Sequence, residues 1–157
     1  MVTEVVPALY CRLIVIDFQE SGMQQKSVLT AEDVKKVMAA AEAEAKAHHW
    51  AVSIAIVDDG GHLLALQRLD GAAPISAYIA TEKARTSALG RRESKIYEDM
   101  INNGRNSFMT APVLQGMLEG GVPITVGDQV VGAVGVSGVK SSEDAQIGRA
   151  GIAALGV

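Results

Sequence analysis

Residues 51–69 read AVSIAIVDDGGHLLALQRL, and the fold turns on this stretch. From Ala51 to Asp58, Val52, Ile54 and Ile56 alternate with the smaller Ala51, Ser53 and Ala55. That is the pattern of a central strand covered on both faces. Asp59-Gly60-Gly61 is a hairpin signal, and His62 to Leu69 returns as a second strand. So short a turn leaves only antiparallel pairing.

Working outward, Thr30 followed by Asp33 has the form of a capping box, and Val34, Val37, Met38, Ala41 and Ala45 recur at helical spacing. A helix is therefore expected over about 31–48, its Ala-rich stripe suited to close approach to a sheet. Downstream, Pro74 suits the first position of a helix reaching Leu89, with Ile75, Tyr78, Ile79 and Ala84 on its buried side. Gly90 ends it. Ser94 caps a shorter helix through Tyr97, Met100 and Ile101, which Asn103-Gly104 closes. Residues 105–121 are less regular. Val122–Val126 and Gln129–Ser137 flank Gly127-Asp128 as a second hairpin, and a last helix covers about 142–155. Hairpins separated by helices give an α+β fold: an antiparallel sheet of two hairpins, about five strands, with helices packed on it in a profilin-like or PAS-like way. The break at residues 20–26 divides an N-terminal extension, 1–27, from one domain, 28–157. The extension is either a dispensable leader before a start at Met23, partly disordered, or an edge strand at Leu13–Phe18.

A chain of 157 residues with 48% hydrophobic and 20% charged residues buries a core without a metal or disulfide. Its net charge of −4 argues against nucleic acid as the main partner, since neutralising phosphates takes clustered Lys and Arg. Lys83, Arg85, Arg91, Arg92 and Lys95 are interleaved with Glu82, Glu93 and Glu98 and read as a solvated helix face. The single cysteine, Cys11, excludes an intramolecular disulfide and a Cys-based zinc site, and fits a reducing, cytoplasmic setting. Val5–Phe18 is interrupted by Arg12 and Asp17 and does not read as a signal peptide, and no apolar run is long enough for a bilayer. No membrane and no metal site are expected.

Several residues stand out for chemistry. His62, after the first turn, suits an acid-base group or axial ligand, or simply a polar strand start. His48 and His49 end the first helix, where an imidazolium meets the helix dipole. Arg68 beside Asp70 is placed either to clamp a carboxylate or to form an internal pair. Lys83 sits at the helix spacing that reaches a sheet edge, although a surface lysine is the default. Gly120-Gly121 offers backbone amides for an anion, or a plain chain reversal. Glu98 and Asn103 belong to a polar cluster beside Phe108 and Met109 that suits either a pocket or a capped surface helix.

The strings Val57-Asp58-Asp59-Gly60-Gly61-His62-Leu63-Leu64-Ala65-Leu66, Glu82-Lys83-Ala84-Arg85-Thr86, Leu89-Gly90-Arg91-Arg92-Glu93, Gly120-Gly121-Val122-Pro123 and Val131–Gly138 together resemble the GlcG/HbpS family, which includes the C-terminal domain of PduO-type proteins. The resemblance covers about 28–157 and stands nearer the GlcG branch than the secreted heme-binding branch. It implies a homo-oligomer, often an octamer, from small-molecule catabolism. Some members bind heme, and some resemble a hydroxylaminobenzoate lyase that turns an aromatic hydroxylamine into a catechol acid with release of ammonia. Such a lyase on a small anionic, aromatic ligand needs a proton donor, for which Glu98, Asp59 and His62 are the candidates. Arg68, Lys83, Asn103 and the Gly120-Gly121 amides are those for holding the substrate. The alternative is a heme-binding or heme-sensing protein without catalysis, its iron held by His48, His49 or His62.

Overall fold

Thr30 opens the first helix, α1 (Ala31–Ala47): its hydroxyl accepts from the Asp33 amide at 3.2 Å, and the Asp33 carboxylate accepts from the Thr30 amide at 2.9 Å. The computed structural model describes residues 22–157, so the candidate strand at Leu13–Phe18 lies outside the described residues. Because this reciprocal cap satisfies two of the helix's orphan amides, Thr30→Ala is expected to cost about 1 kcal/mol in urea unfolding. After α1 come β1 (Ser53–Asp58), β2 (Leu63–Arg68), α2 (Ile75–Gly90), α3 (Lys95–Asn102), a 3₁₀ turn (Asn106–Thr110), β3 (Gly121–Val126), β4 (Gln129–Ser137) and α4 (Ser141–Ala153). The α+β class read from the sequence holds, with four strands among the described residues in the order β2-β1-β4-β3, all antiparallel.

Pairing puts β1 between β2 and β4, so it is central and buried on both faces, as its alternation requires. On one face Ile54, Ile56, Val134, Val136 and Ile124 pack against Val37 and Ala41 of α1 and Ile147 of α4. On the other, Ala55, Val57 and Ala133 meet Ala80, Ala84 and Ala88 of α2. Large side chains build the first layer and small ones the second, so α2 lies almost directly on the strands. Gly135 of β4 is the contact point: a Cβ there would stand 2.1 Å from the Ala80 carbonyl oxygen. Its register partner Gly121 is as tight, 2.2 Å from the Lys83 carbonyl oxygen.

This closeness corrects the expected orientation of α2. Ile75 and Tyr78 are 64% and 76% exposed, and the buried face is Ser76, Ala80, Lys83, Ala84 and Ser87. Apart from Lys83, which runs along the seam to Asp144, only short side chains fit between the helix and the glycine-bearing strands, so the bulky apolar residues turn outward. Ser53 and Ser76 meet across that seam, hydroxyl to hydroxyl, at 2.8 Å. Ser94 also departs from expectation. It precedes α3, but its hydroxyl donates to the Leu118 carbonyl at 2.5 Å and accepts from the Gly121 amide at 2.8 Å instead of capping the helix.

Candidate functional site

The β1–β2 turn, α2 and the segment 113–115 enclose a cleft of about 620 Å³. One wall is set by Asp58 at the end of β1. Its Oδ1 accepts from the amides of Gly60 and His62, both at 2.9 Å, and its two oxygens lie 3.1 Å from Nδ1 of the His62 ring. Partial burial pushes the Asp58 carboxyl up, but the hydrogen bonds from His62 and Gly60 outweigh it and hold the group below its ordinary value. An ionised Asp58 thus fixes the ring through Nδ1 and leaves Nε2 for a ligand. The left-handed Gly61 (φ 77°) lets the chain turn back so tightly, and its carbonyl accepts from Arg85 Nε at 3.3 Å.

The opposite wall is α2. Arg85 pairs through Nη1 with Oε1 of Glu82, one helical turn earlier. Glu82 Oε2 is buried with no hydrogen-bond partner, and it alone among the buried side-chain polar atoms of the described residues is in that position. The segment 113–116 packs on the same turn of α2: a Cβ on Gly116 would stand 2.2 Å from the Glu82 carbonyl carbon, and the Gly116 amide donates to Thr86 Oγ1 at 3.2 Å. Leu63, Leu89 and Val113 supply the apolar lining.

Lys83, Gly120 and Gly121 meet where α2 packs on β3 and β4. Lys83, 3% exposed, is not part of a solvated face: its Nζ donates to Asp144 Oδ2 at 2.9 Å and to the Val136 carbonyl at 3.0 Å. Asp144, 1% exposed, also accepts from the Val139 amide. Burial pushes the Asp144 carboxyl above its ordinary value, the Lys83 ammonium drawing it partly back. Gly120 packs on this pair, a Cβ there lying 2.8 Å from Lys83 Nζ. The twin glycines thus form a dry seam, with the Gly121 amide already given to Ser94. Glu98 Oε2 accepts from the Glu119 amide at 2.6 Å, and its side chain borders a separate hollow of about 330 Å³ with Met109, Met117 and Gln115. Gln115 is shared with the first cleft.

The remaining candidates stand apart. Asp59 pairs with Lys26 at 2.6 Å, while the His62 ring pairs with Asp58. Arg68 and Asp70 line a polar groove with His49 and Trp50 but form no ion pair with each other. The Asn103 amide donates to the Asp99 carbonyl and closes α3. His48 stacks on Trp50 at 4.3 Å. Among the described residues no group of three or more His, Cys, Asp or Glu is placed to hold a metal, and no helix is long and apolar enough to cross a membrane. Sequence reading passed over Asp58, Glu82 and Arg85. The first is masked by its neighbour Asp59. The other two look like an ordinary exposed i,i+3 pair until the turn and the 113–116 segment are seen to close over them.

The chain as a whole resembles known proteins. Residues 29–153 match the model of a family described as haem degrading protein HbpS-like. The chain is 58% identical over 115 residues to protein GlcG of Escherichia coli K12, spanning 73% of this chain and 85% of that one. Among solved structures it is similar to HbpS, with a TM-score of 0.79 and 31% identity over 87% of this chain and 96% of the other. It is also similar to Klebsiella pneumoniae protein ORFY, with a TM-score of 0.81 and 26% identity over 87% and 97% of the two chains.

Proposed function

The chain belongs to the HbpS-like family, and from that footing we propose that the cleft between the β1–β2 turn and α2 binds a small anionic molecule with an aromatic body and acts on it as a carbon-nitrogen lyase. The single observation that carries this reading is that the Asp58–His62 pair and the Arg85 guanidinium open onto one cleft. Arg85, with Nη1 and Nε engaged, offers Nη2 to a carboxylate. Leu63, Leu89 and Val113 flank the ring of the ligand. His62, its tautomer set by Asp58, is the proton donor that helps the N–O bond of an aromatic hydroxylamine break. One water enters and one ammonia leaves per catechol acid formed, so the conversion needs no outside oxidant. The same reading has the protein assemble with copies of itself, for which Leu63, Leu64 and Leu66 on the edge strand β2 provide exposed apolar surface.

Heme is the alternative ligand that the family description raises. His62 Nε2 suits an iron, but a porphyrin is held between two broad apolar walls, and this cleft has three apolar side chains among charged ones. The groove beside His49 includes Glu42, Lys46, Arg68 and Asp70 in its lining and is more polar still. Within one chain the residues do not fit the group.

Thermal shift and calorimetry with benzoate, 2- and 4-hydroxylaminobenzoate and hemin test the proposal. Benzoate is expected to raise the melting temperature by mass action, and Arg85→Gln to weaken its binding about 10- to 100-fold. Ammonia release from a hydroxylaminobenzoate should fall about 100-fold or more in His62→Gln. A Soret band that disappears in His62→Ala, with no response to benzoate, would overturn the reading in favour of heme binding.

A further inference from the structure

We propose that the hollow beside α3 is a binding site for a primary ammonium on a short apolar body, an alkylamine in the simplest case, and that Glu98 is the group that holds the charge. The site is separate from the cleft and does not depend on the cleft's ligand. Glu98, Ile101 and Asn102 stand at i, i+3 and i+4 of α3, so they share one face of the helix, and all three line the hollow of about 330 Å³. Met109, Met117 and Leu118 complete its apolar wall. That volume is at the small end of the range for ligand pockets. Met109 and Leu118 are 63% and 45% exposed, so apolar surface here stands in water.

Glu98 is the one charged residue in this lining, and one of its two oxygens is already engaged. Oε2 accepts from the Glu119 amide at 2.6 Å, which fixes the carboxylate beside Leu118. Oε1 accepts from nothing among the described residues. Since Glu82 Oε2 alone among them is both buried and unbonded, Glu98 Oε1 is open to a ligand. Lys95 does not take that place: its Nζ gives its bonds to the two oxygens of Asp99, at 2.7 and 2.8 Å. The same ammonium is held above its ordinary value by Asp99 first, and further by the charges of Glu119 and Glu98. One lysine thus answers three carboxylates, and the field at the hollow is negative.

The donor set selects the kind of cation. A guanidinium seeks both oxygens of a carboxylate, and here one is taken. A hard metal ion needs several oxygen ligands, and among the described residues no group of three or more His, Cys, Asp or Glu is placed to supply them. A quaternary ammonium is recognised by aromatic faces, of which the lining has none. A primary ammonium needs a single anionic acceptor, and its other N–H groups can use water or the side-chain carbonyls of Asn102 and Gln115 in the same lining. Its apolar body meets Ile101, Leu118 and two methionines, whose flexible thioethers adapt to different shapes.

Calorimetry on the full chain with n-hexylammonium chloride, n-butylammonium chloride and n-hexanol tests this. Hexylammonium is expected to bind about 10-fold tighter than hexanol, from one hydrogen bond to a charged acceptor. It should also bind about 10-fold tighter than butylammonium, from two more buried methylenes. Glu98→Gln can still accept from the Glu119 amide but carries no charge, and should bring hexylammonium to within about threefold of hexanol. Hexanol binding as tightly as hexylammonium would mean an apolar hollow with no cation site, and overturns the proposal. Equal binding of the two amines means counter-ion pairing at an acidic surface and overturns it too, as does an amine preference that survives intact in Glu98→Gln. No binding of hexylammonium at all, the result expected if a second copy of the chain sits on Met109 and Leu118, overturns it as well. If Glu98→Gln does not fold, the two ratios in the parent protein decide.

Discussion

Replacing Lys83 by alanine is expected to lower the unfolding free energy by about 3–5 kcal/mol, the range for removing one partner of a buried ion pair. Both groups are dry, and the pair ties α2 to the end of β4 and to the first turn of α4. The loss comes mostly from what is left behind: an Asp144 carboxylate with only the Val139 amide for company. Hence Lys83→Met combined with Asp144→Leu should recover most of it, since two apolar side chains of similar bulk leave no charge stranded. Urea unfolding of the three proteins at neutral pH checks the order, and a double variant as unstable as Lys83→Ala would show that the pair contributes more than the avoidance of a bare charge.

The same carboxyl sets a pH dependence whose sign follows from its direction of shift. Its folded pKa is raised, above the unfolded value of 3.8, so between the two values the folded chain holds a proton that the unfolded chain has lost. The stability it contributes is therefore complete below the unfolded value and is lost as pH rises through the folded one. Subtracting the profile of Asp144→Asn from that of the parent should leave a component that declines with pH. A component that rises instead would mean that Lys83 outweighs desolvation.

The second large effect is expected at Gly135. A single added methyl group there meets the Ala80 carbonyl oxygen at 2.1 Å and the Ala84 amide nitrogen at 2.4 Å, both of them helix backbone that no rotamer change can move aside. Gly135→Ala should cost about 3 kcal/mol, at the top of the usual range for overpacking, because α2 must lift off β4 as a unit. Lifting α2 also widens the cleft wall that carries Glu82 and Arg85. The variant should therefore lose affinity for benzoate as well as stability, by calorimetry and urea unfolding respectively. Gly148, on the other face, is the control. A Cβ there meets nothing nearer than 3.3 Å, the Cγ2 methyl of Val122, and no backbone atom, so Gly148→Ala should cost far less than Gly135→Ala. Equal loss at both positions would show that glycine content, not the seam under α2, limits stability.

Much of this architecture is legible along the chain. The alternation in residues 51–58, the two glycine turns and the Thr30–Asp33 box each act through near neighbours, and each appears in the structure within a residue or two of its expected place. The side of α2 that faces the sheet was not legible. Its apolar residues suggested Ile75 and Tyr78, whereas packing distance selected Ser76 and Ala80. Helical spacing ranks side chains by polarity and carries no information about how near the facing surface comes.

The candidate site divides in the same way. His62 is visible from sequence because it follows a turn, yet its partner is Asp58, not Asp59, since the closed turn brings the last strand residue rather than the turn residue to the ring. Composition and local pattern by themselves determined an α+β sheet with a central β1, two tight turns and a glycine-rich β4. Tertiary structure alone decided that Lys83 is buried, that Glu82 and Arg85 share a cleft with His62, and that one oxygen of Glu82 is left without a donor. Those facts depend on segments some 20 to 60 residues apart, Gly61, Gly116 and Asp144 against α2, closing on one helix, and burial, which sets the worth of a charge or a hydrogen bond, exists only once they have closed.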